Sequence, residues 1–203
     1  MSDICFIRPA NDAAATTLAN MAIPLKAKIS TSSHTLSADL TGTGATRGAV
    51  DVQLAACRAI CFFGHGLKSR LQGSSTDLID SFNVSLASGS IVIAFACWSA
   101  HTLGPGAISA GVEAYLGFDE QFGCLAGDPD GEFGAAAISG MEVMLKGNDV
   151  GAALREMEKK FDDAFDFYKT GAGAGRSNSV LGWLLANWDK RHLALHGTAG
   201  ALL

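Results

Sequence analysis

Apolar residues in this chain gather into short runs. Three of them, Ile4 to Ile7, Ala59 to Phe63 and Ile91 to Ala96, are unbroken, and a fourth, Val112 to Phe118, is interrupted only by Glu113 and Gly117. Runs of this length bounded by turn residues are what strands covered on both faces look like. Pro9 stops the first, and Ser90 opens the third. Between the runs the spacing changes to helical. Ala13 to Met21 follows Asn11 or Asp12 as a cap, and Thr46 to Ala56 turns Val50, Leu54 and Cys57 inward. Gly106 to Ala110 is a short run of small residues suited to a helix packed close on a sheet. Glu132 to Leu145 and Val150 to Phe167 predict two longer helices, the second amphipathic. Ser177 to Trp188 predicts another, capped by Ser177 or Asn178, with a last strand at His192 to His196. Three stretches read less sharply. Lys26 to Ser30 is taken as the second strand, and Asp77 to Phe82 as helical. The Ser, Thr and Gly of residues 30 to 48 make a loop with one extended segment near Leu36 to Leu40. Strands alternating with helices predict an α/β fold with a mostly parallel central sheet and helices on both faces. No internal repeat supports a solenoid.

Composition narrows this reading. A chain of 203 residues, 48% hydrophobic, 17% charged and with 24 glycines, suits one compact domain over residues 1 to 203. The formal charge of −5, with no Lys/Arg cluster beyond Lys159-Lys160 and Lys190-Arg191, argues against a nucleic-acid partner. No apolar segment approaches membrane-spanning length, and Asp3, Arg8 and Asp12 interrupt the start where a signal peptide needs an apolar core, so no membrane association and a cytoplasmic location are expected. Five cysteines without paired spacing predict reduced thiols. Cys57 and Cys61 fall at a helix-like spacing, but Ala59 to Phe63 reads as strand and no His completes a site, so neither metal nor cofactor is expected.

Two of the apolar runs end in reactive residues: one leads through Gly64 to His65 and Gly66, the other to Cys97. Open α/β sheets place their sites at the carboxyl ends of strands, and a Cys beside a His makes a nucleophile with its proton partner. Taken singly, such a Cys is an ordinary small buried residue and such a His an ordinary loop residue. His101 is the second choice of base, set back by Gly104 and Pro105, which argue for a loop there. His34 reads as a solvated loop residue, and His192 and His196 as structural. No Gly-x-Ser-x-Gly elbow supports serine chemistry, and the Gly42 to Gly48 loop lacks the Lys-Ser/Thr of a phosphate loop.

The order and context of Phe63-Gly64-His65-Gly66 and Ala96-Cys97-Trp98-Ser99 resemble the caspase-like cysteine peptidases, the superfamily of caspases, metacaspases, gingipains, legumains, separase and bacterial CHAT domains. Leu103-Gly104 and the stretch from Gly106 to Phe118 are similar to the helix and strand that follow the nucleophile in CHAT domains. Gly44-Ala45-Thr46-Arg47 has the same flavour, and the resemblance covers about residues 1 to 125. It implies a three-layer sandwich and a cysteine endopeptidase working through a Cys97/His65 dyad and an acyl-enzyme, with the Gly66 backbone N–H in the oxyanion hole. By analogy with separase-like and gingipain-like members, Asp119, with Glu120 as alternate, would line the pocket for a substrate Arg or Lys. A solvated loop carboxylate is the plain alternative for both. Asp128 and Asp130, in the Gly127-Asp128-Pro129-Asp130-Gly131 turn, are candidates for that pocket, for a calcium loop, or for a simple polar turn. The Gly171 to Gly175 linker, flanked by Lys169 and Arg176, offers a self-cleavage site or a flexible loop. The expected partner is a protein, as substrate or activator. The competing readings are a catalytically silent caspase-like binding module and a cysteine amidase or other hydrolase.

Overall fold

The computed structural model describes residues 2–73, 76–128 and 130–203. Its centre is a six-stranded sheet in the order β2-β1-β3-β7-β8-β9. The strands are β1 (Asp3–Arg8), β2 (Thr35–Thr41), β3 (Ala59–Phe63), β7 (Ile91–Phe95), β8 (Ala114–Phe118) and β9 (Leu193–Gly197). All neighbours pair in parallel except β8 with β9. Every residue of β3, β7 and β8 is buried, as the apolar runs require.

Side chains alternate between two cores. Phe6, Cys61, Phe63, Ile93, Phe95, Leu116 and Phe118 face one, where α1 (Ala13–Met21), α2 (Ile23–Ser30), α5 (Glu132–Met144) and α6 (Val150–Lys169) pack. Cys5, Ile7, Ile60, Phe62, Val92, Ala94 and Tyr115 face the other, against α3 (Arg47–Ala56) and α4 (Leu103–Ser109). The result is a three-layer sandwich. The chain leaves β1 toward β2 over the first face and returns from β2 to β3 over the second, so β1 and β3 flank a topological switch point, the crevice where open α/β sheets bind ligands.

Asp12 caps α1 by accepting from the Ala15 amide at 2.8 Å, Thr46 caps α3, and Asp149 caps α6. The last helix, α7 (Ser179–His192), follows Asn178 and continues past Trp188 before β9 begins.

Two expectations are corrected. Lys26 to Ser30 is part of α2: Pro24 sits in its first turn, and Leu25 and Ile29, four apart, bury on the core. The edge strand is instead β2, around the extended segment at Leu36 to Leu40. Asp77 to Phe82 is not helical. Asp77–Asp80 forms β6, which with β4 (His65–Leu67) and β5 (Arg70–Gln72) makes a small separate antiparallel sheet, inserted in the chain after β3 and before β7. Leu78 and Ile79 are buried there, and the Arg47 guanidinium holds the strand by donating to the Asp77 carbonyl and to both carboxylate oxygens of Asp80. No helix of the described residues is long and apolar enough to cross a membrane.

Candidate active site

The register of β3 and β7 aligns Phe63 with Phe95, whose rings stack at 5.0 Å. Two residues beyond each lie His65 and Cys97. Gly64 continues the pairing by one bond, its N–H donating to the Phe95 carbonyl at 3.2 Å, before the chain turns into β4. Both glycines around His65 are required by close approach. A Cβ on Gly64 would stand 2.8 Å from the Pro9 ring, and one on Gly66 would stand 2.4 Å from the Cys97 carbonyl oxygen and 2.9 Å from Ala96 Cβ. The His65-Gly66 step therefore lies directly on the residue carrying the thiol.

His65 is half-buried, and its Nε2–H donates to Asp12 Oδ2 at 2.7 Å. Because a carboxylate accepts, this bond leaves Nδ1 as the ring nitrogen with a free position for proton transfer. The other Asp12 oxygen caps α1, and the Ala15 amide first, then the imidazole, hold the Asp12 carboxyl below its usual range. The crevice at the switch point is thus spanned by a carboxylate from the loop after β1 and an imidazole from the turn after β3.

Cys97 is half-buried, and burial pushes its thiol up. Its Sγ–H donates to the Phe122 carbonyl at 3.6 Å. Among the described residues no hydrogen bond joins it to His65. Trp98 follows in a left-handed conformation, φ 51°, which costs a bulky residue about 1–2 kcal/mol. Two bonds to Glu120 hold it there, from the Trp98 N–H to the Glu120 carbonyl at 2.8 Å and from the indole N–H to the carboxylate at 3.0 Å. Ser99 is fully buried, donating to the Ala94 carbonyl and accepting from the Phe118 amide, so its hydroxyl braces the turn.

Asp119 and Glu120 follow β8, the strand beside the one that carries Cys97. The exposed Asp119 carboxylate accepts from His192 Nδ1–H at 2.8 Å, whereas Glu120 is turned toward Trp98. His101 is exposed and bonded to the neighbouring Thr102 hydroxyl. His196 donates to the Ala100 carbonyl at 2.9 Å and packs over Gly104. His34 is half-buried, not fully solvated, with Nδ1 enclosed and unpartnered. Asp128 caps α5 by accepting from the Phe133 and Gly134 amides, and Asp130 accepts from Arg176 and the Tyr168 hydroxyl, so both carboxylates are engaged in holding the fold. Pro129 between them lies outside the described residues. A cavity of about 540 Å³ between α1, α2 and α5 is lined by Met21, Lys28, Ile138 and Glu142, with none of Cys97, His65, Asp119 or Glu120 on its walls.

Two residues that the fold brings to this end of the sheet carry no local signal in the sequence. Asp12 reads there only as a helix cap. Asp189, on α7, is fully buried and accepts from the Gly123 amide at 2.9 Å, while its second oxygen has no partner; burial holds its carboxyl well above the ordinary carboxylate range.

No protein-family model matches the chain, and no curated protein does. A solved structure described as that of a protease shares its fold, with a TM-score of 0.65 and 9% identity over 98% of this chain and 48% of that one. The chain thus spans about half the length of that neighbour.

Proposed function

We propose that the chain is a cysteine endopeptidase whose nucleophile is Cys97 and whose proton carrier is His65. The observation that carries this reading is the seating of His65-Gly66 on Cys97 at the carboxyl ends of adjacent parallel strands, with Asp12 fixing the His65 ring. The shared fold of a structure described as a protease supports it.

In this mechanism the Cys97 proton leaves to His65, and the thiolate attacks the scissile carbonyl. Gly66 N–H stabilises the oxyanion that forms. Collapse expels the amine, which takes its proton from His65 and leaves a thioester. Water, deprotonated by His65, then releases the acid and regenerates the thiol. Asp12 stabilises the imidazolium through Nε2–H. Asp119 and Glu120, at the end of the next strand, would hold an Arg or Lys side chain before the cut by charge-assisted hydrogen bonds. The Cys97 thiol bonded to Phe122 instead of His65 describes a resting enzyme, consistent with activation by a protein partner.

The test is cleavage of a pooled peptide library by the protein beside Cys97→Ala and His65→Ala, read by mass spectrometry. Cuts after Arg or Lys that vanish in both variants are expected. Cuts after other residues would keep the dyad and discard the carboxylate pocket. Cleavage that survives Cys97→Ala would end the reading, and no cleavage by any of the three would favour a partner-activated zymogen or a silent binding module.

A further inference from the structure

The segment from Asp119 to Gly123 is gripped from both sides. From α7 it meets Leu185, Trp188, Asp189 and His192, spaced i, i+3, i+4 and i+7 and therefore on one face. His192 bonds the Asp119 carboxylate, the Trp188 indole N–H donates to the Gln121 carbonyl at 2.8 Å, and Asp189 accepts from the Gly123 amide at 2.9 Å. Leu185 fills the space where a Gly123 Cβ would stand, 2.6 Å from its Cδ2. From the sheet side, the Trp98 amide donates to the Glu120 carbonyl and the Cys97 thiol to the Phe122 carbonyl.

One peptide group joins the two sides. The unit between Phe122 and Gly123 presents its C=O to Cys97 Sγ and its N–H to Asp189 Oδ1. A carbonyl oxygen only accepts, so this contact is made by the S–H form of the cysteine and lost by the thiolate. Asp189 fixes the orientation of that carbonyl from behind. Among the described residues the second Asp189 oxygen has no partner, so accepting from the Gly123 amide is the one hydrogen-bonding role of this side chain.

We propose that Asp189 is a positioning residue that keeps Cys97 in a resting thiol form through the Phe122–Gly123 peptide, so that moving α7 or this segment releases the nucleophile. The proposal deepens the peptidase reading and rests on it for the meaning of release, but its test needs no turnover. The ionisable groups acting on the thiol are Asp189 from α7 and Cys124 just past the segment, itself pushed up by burial, while His65 follows the neighbouring strand β3.

Alkylation of Cys97 by iodoacetamide, followed by mass spectrometry from pH 6 to 10, reads the thiolate directly. In Asp189→Ala the Cys97 profile should move to lower pH and the rate at pH 7 rise about tenfold, the change in thiolate fraction for one pKa unit. Asp189→Asn, which keeps an acceptor for Gly123 N–H, should restore the slow profile. Because Asp189→Ala risks unfolding through the cavity it leaves, Asp189→Val offers a second route: it fills the site without an acceptor for the Gly123 N–H and should speed alkylation likewise. A wild-type profile in folded Asp189→Ala or Asp189→Val would overturn the proposal, as would fast alkylation in Asp189→Asn. Shifts of this kind with no peptide cleavage even by the released Asp189→Ala variant would retain the lock and lose only the peptidase reading.

Discussion

Asp12 divides its two carboxylate oxygens between a helix and an imidazole, and the two roles are separable by substitution. Asp12→Ala removes the α1 cap, worth about 0.5–2 kcal/mol, together with the His65 contact. Asp12→Ser keeps a capping oxygen that is too short to reach the ring. The expected outcome is a urea midpoint near wild type for Asp12→Ser and a lower one for Asp12→Ala, with peptide cleavage reduced to a similar extent in both. Equal activity in Asp12→Ser and wild type would show that the ring needs no carboxylate. Residues of this kind explain what one chain reveals of its own site. Cys97, His65 and Gly66 stand out as candidates in the sequence because each sits at or just past the end of an apolar run in a recognisable order. The tie from Asp12 to His65 spans 53 positions, and Asp189 lies far along a helix, so only the closed fold brings them near these three.

Among the elements, the small antiparallel sheet of β4, β5 and β6 gives His65 its backbone direction, and it leans on α3 through Arg47. The guanidinium holds the Asp80 carboxyl below its usual range, with burial opposing. A carboxyl depressed in the folded state contributes fully above its unfolded value, about 4, and that contribution disappears as pH falls through the folded value. Asp80→Asn should therefore lower the denaturation free energy at pH 7 by about 1–3 kcal/mol, a charge-assisted bidentate bond partly open to water, and by less at pH 3. Urea titrations at the two pH values check this, and an equal loss at both would assign the effect to shape alone. This sheet was invisible in the sequence because strands of three and four residues give periodicity too little length to register. Lys26 to Ser30 misled for a related reason: its polar and apolar residues alternate, but Pro24 and the Leu25/Ile29 pair set a helix. The long buried strands and the helices from α5 to α7 were legible because burial on two faces, or on one helical stripe, repeats for several periods.

For the whole molecule, the parallel sheet collects its chemistry at one end. Asp12 after β1, His65 after β3, Cys97 after β7 and Asp119 and Glu120 after β8 all leave the carboxyl ends of strands, so these three carboxylates share that end with Cys97, His65 and the His192 that reaches Asp119. The chain as a whole carries a formal charge of −5. If Asp119 and Glu120 select a basic side chain, encounter with a Lys-containing peptide is steered by a field that salt screens over about 10 Å at 0.1 M and about 3 Å at 1 M. The kcat/KM for such a peptide should then fall several-fold between about 0.05 and 0.5 M salt, whereas a peptide with Met in place of the Lys, of similar length and uncharged, should change little. Asp119→Asn should flatten the Lys curve without altering the Met one. Parallel curves for the two peptides would mean that salt acts on the fold and not on recognition, and the acidic end of the sheet would then owe its carboxylates to His65, Trp98 and His192 rather than to a substrate.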